Sequence, residues 1–287
     1  MKKALLIYSP LTGKNKAIKE HKMMVKKLSS KYEITSFLVD SNSNLEDQVN
    51  LASKKYDYLF ICGGDGTLNL IINIVSKLPK EERLPIGYIP CGTMNDAGKT
   101  YGVSSIKKAI KILLDENVIK VDVGRINDRY FFYLLAIGQY SDISYLAKRP
   151  DKKKLGKFAY YDLAVKEAFQ KKRISLDISL EEKSKNYIVP FVLIMNGKFA
   201  GGFKVNRAHN PNNGLLDMYL TKPGLFNGLT HYFPFKTKTE HVQFKEASIV
   251  LNTSMPWCVD GEKYECDIAN IECLNEHVSF FTKRSKR

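Results

Sequence analysis

The feature that most constrains this chain is Gly63-Gly64-Asp65-Gly66-Thr67-Leu68-Asn69, lying between the apolar run Tyr58–Cys62 and the helix-patterned apolar stretch Leu68–Leu78. A buried strand that ends in glycines and opens at once into a helix belongs to an alternating α/β layout. The three glycines let the backbone approach a ligand, and the helix that follows turns its first N–H groups toward an anion. Asp65 is the odd member, because a carboxylate repels phosphate unless a divalent cation bridges the two. Mg²⁺ prefers carboxylate and phosphate oxygens, so a metal–nucleotide complex reconciles them. An Asp-Gly dipeptide alone would signal no more than a strand-to-helix turn.

The neighbouring segments extend the same rhythm. Leu5–Tyr8, Glu33–Val39 and Ile86–Ile89 read as strands, and Lys16–Ser30, Leu45–Lys54 and Ser105–Leu114 as helices. They predict an N-terminal open, mostly parallel α/β nucleotide-binding domain over residues 1–122. Ligands in such sheets bind at the carboxyl ends of the strands, where the glycine-bearing loops fall. From about Lys120 the pattern changes. Val121–Arg125 and Tyr130–Ile137 read as paired strands joined by Asn127-Asp128, and Tyr160–Gln170 as a helix. Ile174–Leu180, Tyr187–Met195, Leu215–Leu220, Ser248–Leu251 and Val278–Thr282 read as further strands. This predicts a C-terminal β-rich sandwich over 123–287, whose final strand is free to pack back on the first domain.

Two more loops follow strands of the first domain. Pro90-Cys91-Gly92-Thr93-Met94-Asn95-Asp96 supplies a glycine turn, hydrogen-bonding side chains and a second carboxylate. Ser9-Pro10-Leu11-Thr12-Gly13-Lys14 supplies hydroxyls, a glycine and a lysine, without the spacing of a Walker A loop. Late in the chain stands Val259-Asp260-Gly261-Glu262, which by itself would be read as a hairpin turn.

Taken together, the GGDGTLN, GTMND and SPLTGK loops resemble the catalytic domain of the diacylglycerol kinase family, which includes bacterial lipid kinases and the sphingosine and ceramide kinases. The resemblance continues through Asp122–Arg125, Asn196-Gly197-Lys198 with Gly201-Gly202, Asn213-Gly214-Leu215-Leu216-Asp217 and the late Asp-Gly-Glu. It implies ATP and Mg²⁺ as cofactors and γ-phosphate transfer to a lipid hydroxyl, foremost that of diacylglycerol. By the same resemblance Ser9, Thr12, Gly13, Gly63, Gly64, Gly66, Thr67, Asn69, Thr93 and Asn95 would surround the nucleotide, and Asp65 and Asp96 would organise Mg²⁺. Asp260 or Glu262 would be the general base, Asp260 being favoured. An accessory metal site would use Asn210, Asn213 and the Leu215 carbonyl. Three departures stand out: Asn212-Asn213 where the family usually has two aspartates, Ala97 and Lys99 for a Phe and an Arg, and Arg207 for a proline. Amides hold hard cations less strongly than carboxylates do.

GGDGT is shared with NAD kinases and phosphofructokinases, so a NAD kinase-like enzyme is one alternative. A catalytically silent nucleotide- or lipid-binding protein is another. Lysine and arginine outnumber acidic residues 45 to 30, a balance that favours polyanionic partners. The basic run Lys148–Lys157 carries few aromatics between its charges, so anionic lipid headgroups suit it and nucleic acid does not. Five cysteines without CxxC spacing predict neither a zinc site nor a disulfide framework. Met1-Lys2-Lys3 followed by Ala4–Tyr8 reads as a first strand, being too short for a signal peptide. The expectation is a cytoplasmic protein that associates peripherally with a membrane during turnover; a homodimer is left open.

Overall fold

Short apolar runs bounded by polar turns become the parallel strands of the first of two units. The computed structural model describes residues 1–9, 16–40, 44–139, 141, 173–181, 183–221 and 239–284. The chain divides into Met1–Val123 with Asn275–Arg287, and Gly124–Leu274. In the first unit the order is β1 (Lys2–Tyr8), α1 (Lys16–Leu28), β2 (Tyr32–Leu38), α2 (Leu45–Lys55), β3 (Tyr58–Gly63), α3 (Asp65–Lys77), β4 (Ile86–Pro90), α4 (Asp96–Thr100), α5 (Ile106–Asp115) and the start of β5 (Val118–Ile126). Strands β2, β1, β3 and β4 lie side by side in parallel, and Phe280 of the last strand pairs with Ile86 beyond β4. Right-handed βαβ crossovers account for this pattern.

Leu5, Leu6, Ile7, Leu59, Phe60 and Ile61 are all buried, which explains why β1 and β3 read as continuous apolar runs rather than alternating ones. Helix α5 starts at Ser105, whose hydroxyl accepts the Lys108 N–H at 3.3 Å. Helix α4 is absent from the sequence expectation, since five residues give a periodic pattern nothing to build on.

The second unit is antiparallel throughout. After β6 (Arg129–Phe131) come β7 (Leu134–Gly138), β8 (Ile174–Leu180), β9 (Lys183–Val189), β10 (Phe191–Met195), the small hairpin β11 (Phe199–Ala200) and β12 (Phe203–Lys204), then β13 (Leu216–Thr221), β14 (Thr239–Phe244), β15 (Glu246–Leu251), β16 (Trp257–Val259), β17 (Glu262–Tyr264) and β18 (Ile268–Phe281). One sheet runs β14-β13-β10-β7-β16-β17. Facing it across a common core are β18, β15, β8 and β9. Leu135, Ile194 and Met218 from the first sheet and Leu176, Ile249 and Ile271 from the second share that core, which makes the unit a sandwich. Trp257 is fully buried in it and therefore packs rather than lining a lipid slot.

Two expected strands are each divided. The Tyr130–Ile137 run breaks at Phe132-Tyr133, so that β6 pairs with β5 while β7 pairs with β10 and β16. Tyr187–Met195 breaks at Pro190, whose carbonyl accepts the Gln139 N–H at 2.8 Å. Proline has no N–H for a ladder, so a strand boundary there is the cheaper arrangement. The helix expected over Tyr160–Gln170 and the basic run Lys148–Lys157 lie outside the described residues.

Candidate active site

Parallel pairing of Gly63 with Pro90 brings the ends of β3 and β4 together, and the Cys91 N–H extends the ladder to the Gly63 carbonyl at 2.8 Å. The GGDGT and GTMND loops consequently start side by side. Their spacing forbids side chains: a Cβ on Gly92 would sit 2.6 Å from the Gly64 Cα, and one on Gly63 2.6 Å from the Thr67 Cβ. Gly64 caps α3 and offers no side chain to its first turn, where a capping residue would normally accept an N–H. Gly66 is exposed at that turn, Asp65 and Thr67 are half-buried, and Asn69 is buried one turn on. A thirteen-residue helix that opens on an uncapped glycine suits an anionic ligand.

Asn95 sits in the left-handed region at φ 54°, a conformation that asparagine tolerates. Its carboxamide closes the loop on itself: Oδ1 accepts the Gly92 N–H at 2.9 Å, and Nδ2 donates to the Gly92 carbonyl at 2.8 Å. The Tyr88 hydroxyl lies 3.1 Å from both the Gly63 carbonyl and Asn95 Oδ1, so its single proton ties the two loops together. Full burial, with Asp65 and Asp96 nearby, pushes the Tyr88 hydroxyl well above the usual tyrosine range and keeps that proton in place. Asn95 thus braces the loop, while Thr93 stands exposed at its tip.

The two carboxylates of these loops differ. Asp65 Oδ1 accepts the Ala97 N–H at 3.2 Å and the residue is half-buried. Asp96 is only 2% exposed and ion-paired with Lys99 at 2.8 Å, so its charge is already met by a lysine. Ser9 continues β1, with its N–H 3.2 Å from the Cys62 carbonyl, beside the same loops. Thr12 and Gly13 lie outside the described residues.

In the second unit, Asp260 and Gly261 form the two-residue turn between β16 and β17, both at positive φ, as Val259 faces Glu262. Asp-Gly is the preferred pair for such a turn. The Asp260 side chain does more than turn. Buried to 2% exposure, it accepts the N–H groups of Phe132 at 2.5 Å, Tyr133 at 3.0 Å and Leu134 at 2.9 Å. Asn196 holds the same break from the other side, its N–H on the Tyr133 carbonyl and its Nδ2 on the Phe132 carbonyl. Three backbone donors thus occupy a carboxylate closed to solvent. Glu262 is half-buried at the start of β17.

The Asn210–Leu215 loop holds no carboxylate. Asn210 Oδ1 accepts the Asn212 N–H, and Asn213 Oδ1 the Leu215 N–H, both as local turns. Nearby Asp217 is buried and accepts from Asn206, His241 and Gln243. Among the described residues no three His, Cys, Asp or Glu side chains group as metal ligands. The Asn210–Leu215 loop offers amide and carbonyl oxygens, which hold hard cations less strongly than carboxylates do. Asp65 fits the other common arrangement, in which one carboxylate and the phosphates of a nucleotide share the ion.

The sequence gives no role for Tyr88, Asn196 or Lys99: Asn196 is noted there within a resembling segment and Lys99 as a departure, whereas Tyr88 lies within a strand and gives no signal.

Comparison with known proteins completes the picture. A family model described as the diacylglycerol kinase catalytic domain matches residues 3–126. A diacylglycerol kinase of Staphylococcus carnosus (strain TM300) is 27% identical over 99% of this chain and 96% of its own length. One of Staphylococcus epidermidis is 28% identical over 99% of this chain and 93% of its own. The crystal structure of a diacylglycerol kinase from Bacillus anthracis superposes with a TM-score of 0.83 at 24% identity, covering 98% and 97% of the two chains, and shares the fold. Fold, loops and relatives together define an ATP-using kinase that acts on lipid. Residues 3–126 match the diacylglycerol kinase catalytic domain, and the likeness to diacylglycerol kinases runs along almost the whole chain.

Proposed function

We propose that this lipid kinase phosphorylates the free hydroxyl of diacylglycerol, yielding phosphatidic acid, with Mg²⁺ as its metal. The observation that carries the substrate is the likeness, along almost the whole chain, to relatives named diacylglycerol kinase. ATP supplies the γ-phosphoryl group, and Mg²⁺ neutralises the charge on its oxygens.

The first turn of α3, with Gly63, Gly64, Gly66 and Thr67, binds phosphate through backbone N–H groups, and Asn69 backs that turn. Ser9, Thr12, Gly13 and Thr93 line the nucleotide. Asp65 holds the metal; Asp96, paired with Lys99, fixes α4 instead. Glu262 accepts the proton of the lipid hydroxyl, a role worth about 10²–10⁴ in rate. Asp260 sets the hairpin that carries Glu262 by gripping the Phe132–Leu134 amides. The acceptor, a membrane lipid, is met at a membrane surface. An excess of 15 positive charges draws the protein, as monomer or homodimer, to anionic headgroups on the cytoplasmic side.

The test is transfer from labelled ATP and Mg²⁺ to mixed micelles of diacylglycerol, phosphatidylglycerol, sphingosine and ceramide, with NAD⁺ run separately. Labelled phosphatidic acid is the expected product. A labelled sphingolipid or dinucleotide, with diacylglycerol untouched, overturns the assignment.

A further inference from the structure

Cys62 and Cys91 are free thiols in contact, their sulfurs 3.0 Å apart. The contact follows from register. Cys62 pairs with Ile89 across the parallel β3–β4 ladder, and Cys91, two residues further on, faces the same side. Each cysteine directly precedes a glycine of a phosphate loop: Gly63-Gly64 follows Cys62, and Gly92-Thr93 follows Cys91.

We propose that Cys62 and Cys91 form a redox-modification site, oxidised by hydrogen peroxide to an intramolecular disulfide that weakens nucleotide binding at the two loops. The regulatory half of this inference rests on the nucleotide role assigned above. A disulfide needs its sulfurs at about 2.05 Å. Closing from 3.0 Å draws the two sulfurs about 1 Å nearer, beside the glycines that open each loop. Misplacement on that scale, passed to a site built on positioning, costs on the order of 100-fold.

The two thiols are not equivalent. The Cys62 thiol is pushed up by its hydrogen bond with Cys91 and by burial. Cys91 is lowered by the same hydrogen bond and by the cation of Lys16, against burial and the opposing charge of Glu20. Cys91 is the nucleophile and Cys62 the resolving thiol. Cys91 is 1% exposed, one residue from the half-buried Gly92 and two from the exposed Thr93.

The steps balance. The Cys91 thiolate attacks one peroxide oxygen, forming S–O as O–O breaks, and the departing hydroxide takes a proton to become water. Cys62 sulfur then attacks the Cys91 sulfenic sulfur, S–S forms, S–O breaks, and the Cys62 proton leaves with the second water. Two thiols lose two electrons and two protons, and one peroxide is reduced to two waters.

The experiment treats the full chain with hydrogen peroxide and then maps it by non-reducing digestion and mass spectrometry. Affinity for a fluorescent ATP analogue is measured before oxidation, after it, and after dithiothreitol. The expected result is a linked Cys62–Cys91 peptide, affinity lowered tenfold or more, and recovery on reduction. Cys91→Ser should abolish the linkage and the affinity change together, while Cys266→Ser should leave both intact. Absence of the linked peptide overturns the proposal, as does linkage with unchanged affinity. Neither readout needs a lipid product, so a reduced protein that binds the analogue but phosphorylates no lipid would count against the lipid assignment alone.

Discussion

Replacing Asp260 with asparagine separates the two carboxylates of the late hairpin by their physics. Asparagine keeps the size of the side chain and its tolerance for φ near +48°, so the turn itself is preserved. What changes is the match to Phe132, Tyr133 and Leu134, whose N–H groups all point at the carboxylate. The new carbonyl can serve Tyr133 and Leu134, which puts the NH₂ against the Phe132 N–H. One charge-assisted hydrogen bond is lost, at about 1.5–3 kcal/mol, and a buried donor is left unmet. A loss of about 3 kcal/mol from the second unit follows, or ~6–12 °C in its Tm. Glu262→Gln, at a half-buried site, should move stability by no more than about 0.5 kcal/mol while lowering kcat by about 10²–10⁴. Urea unfolding followed by tryptophan fluorescence reads the first quantity, because Trp257 is the single tryptophan and sits in the core concerned. Labelled-phosphate transfer reads the second. If Asp260→Asn keeps wild-type stability yet abolishes transfer while Glu262→Gln stays active, the reasoning is refuted and Asp260 is the base.

Three further outcomes follow from named contacts. Asp65→Ala should abolish transfer and cost only about 1 kcal/mol of stability through the lost Ala97 contact, as thermal melting beside the kinase assay would show. Gly92→Ala drives a methyl to within 2.6 Å of Gly64 Cα, which should cost about 1–3 kcal/mol and raise the KM for ATP; an unchanged KM would remove the loop contact from the argument. Burial and the cation of Lys198, against Asp217, push His209 down to about 4. The unfolded chain then binds a proton that the fold refuses, so stability is complete above pH 6.5 and falls by about 3 kcal/mol as pH drops toward 4; in His209→Gln the fall in urea midpoint over that window should shrink.

How far the sequence carries depends on how far apart the interacting residues stand. Strands β1, β3 and β4 and the loop opening α3 are set by neighbours in the chain, and their residues announce themselves by period and by glycine. The break at Phe132-Tyr133 is set by Asp260 and Asn196, whose hydrogen bonds to it span 126 to 128 and 64 positions of the chain. Nothing local in Tyr130–Ile137 marks it, so a run of strand formers is read as one strand. The three amides that hold Asp260 are hidden for the same reason. An Asp-Gly-Glu turn shows that a carboxylate is present, but only tertiary structure tells which one meets solvent. Asp96 is the contrary case, since Lys99 three residues on gives the ion pair a local signal once the short α4 is recognised.

A common logic joins the two motif regions, each considered within its own unit. In GTMND the buried Asp96 is neutralised by Lys99, and in the late hairpin the buried Asp260 is satisfied by three amides. Each has a partly exposed acidic counterpart, Asp65 on the adjoining loop and Glu262 on the same hairpin. A carboxylate sealed from water is stable only while its partners stay in place, so it fixes their geometry strongly. A carboxylate at the surface keeps lone pairs for a metal or a proton but fixes little by itself. Chemistry that depends on positioning needs both kinds, and this pairing explains why an acidic residue that is invisible to substrate can still be indispensable to transfer. It also predicts how the members of each pair fail. Loss of the buried one should appear first in the unfolding curve, and loss of its counterpart in turnover of a protein that still melts normally.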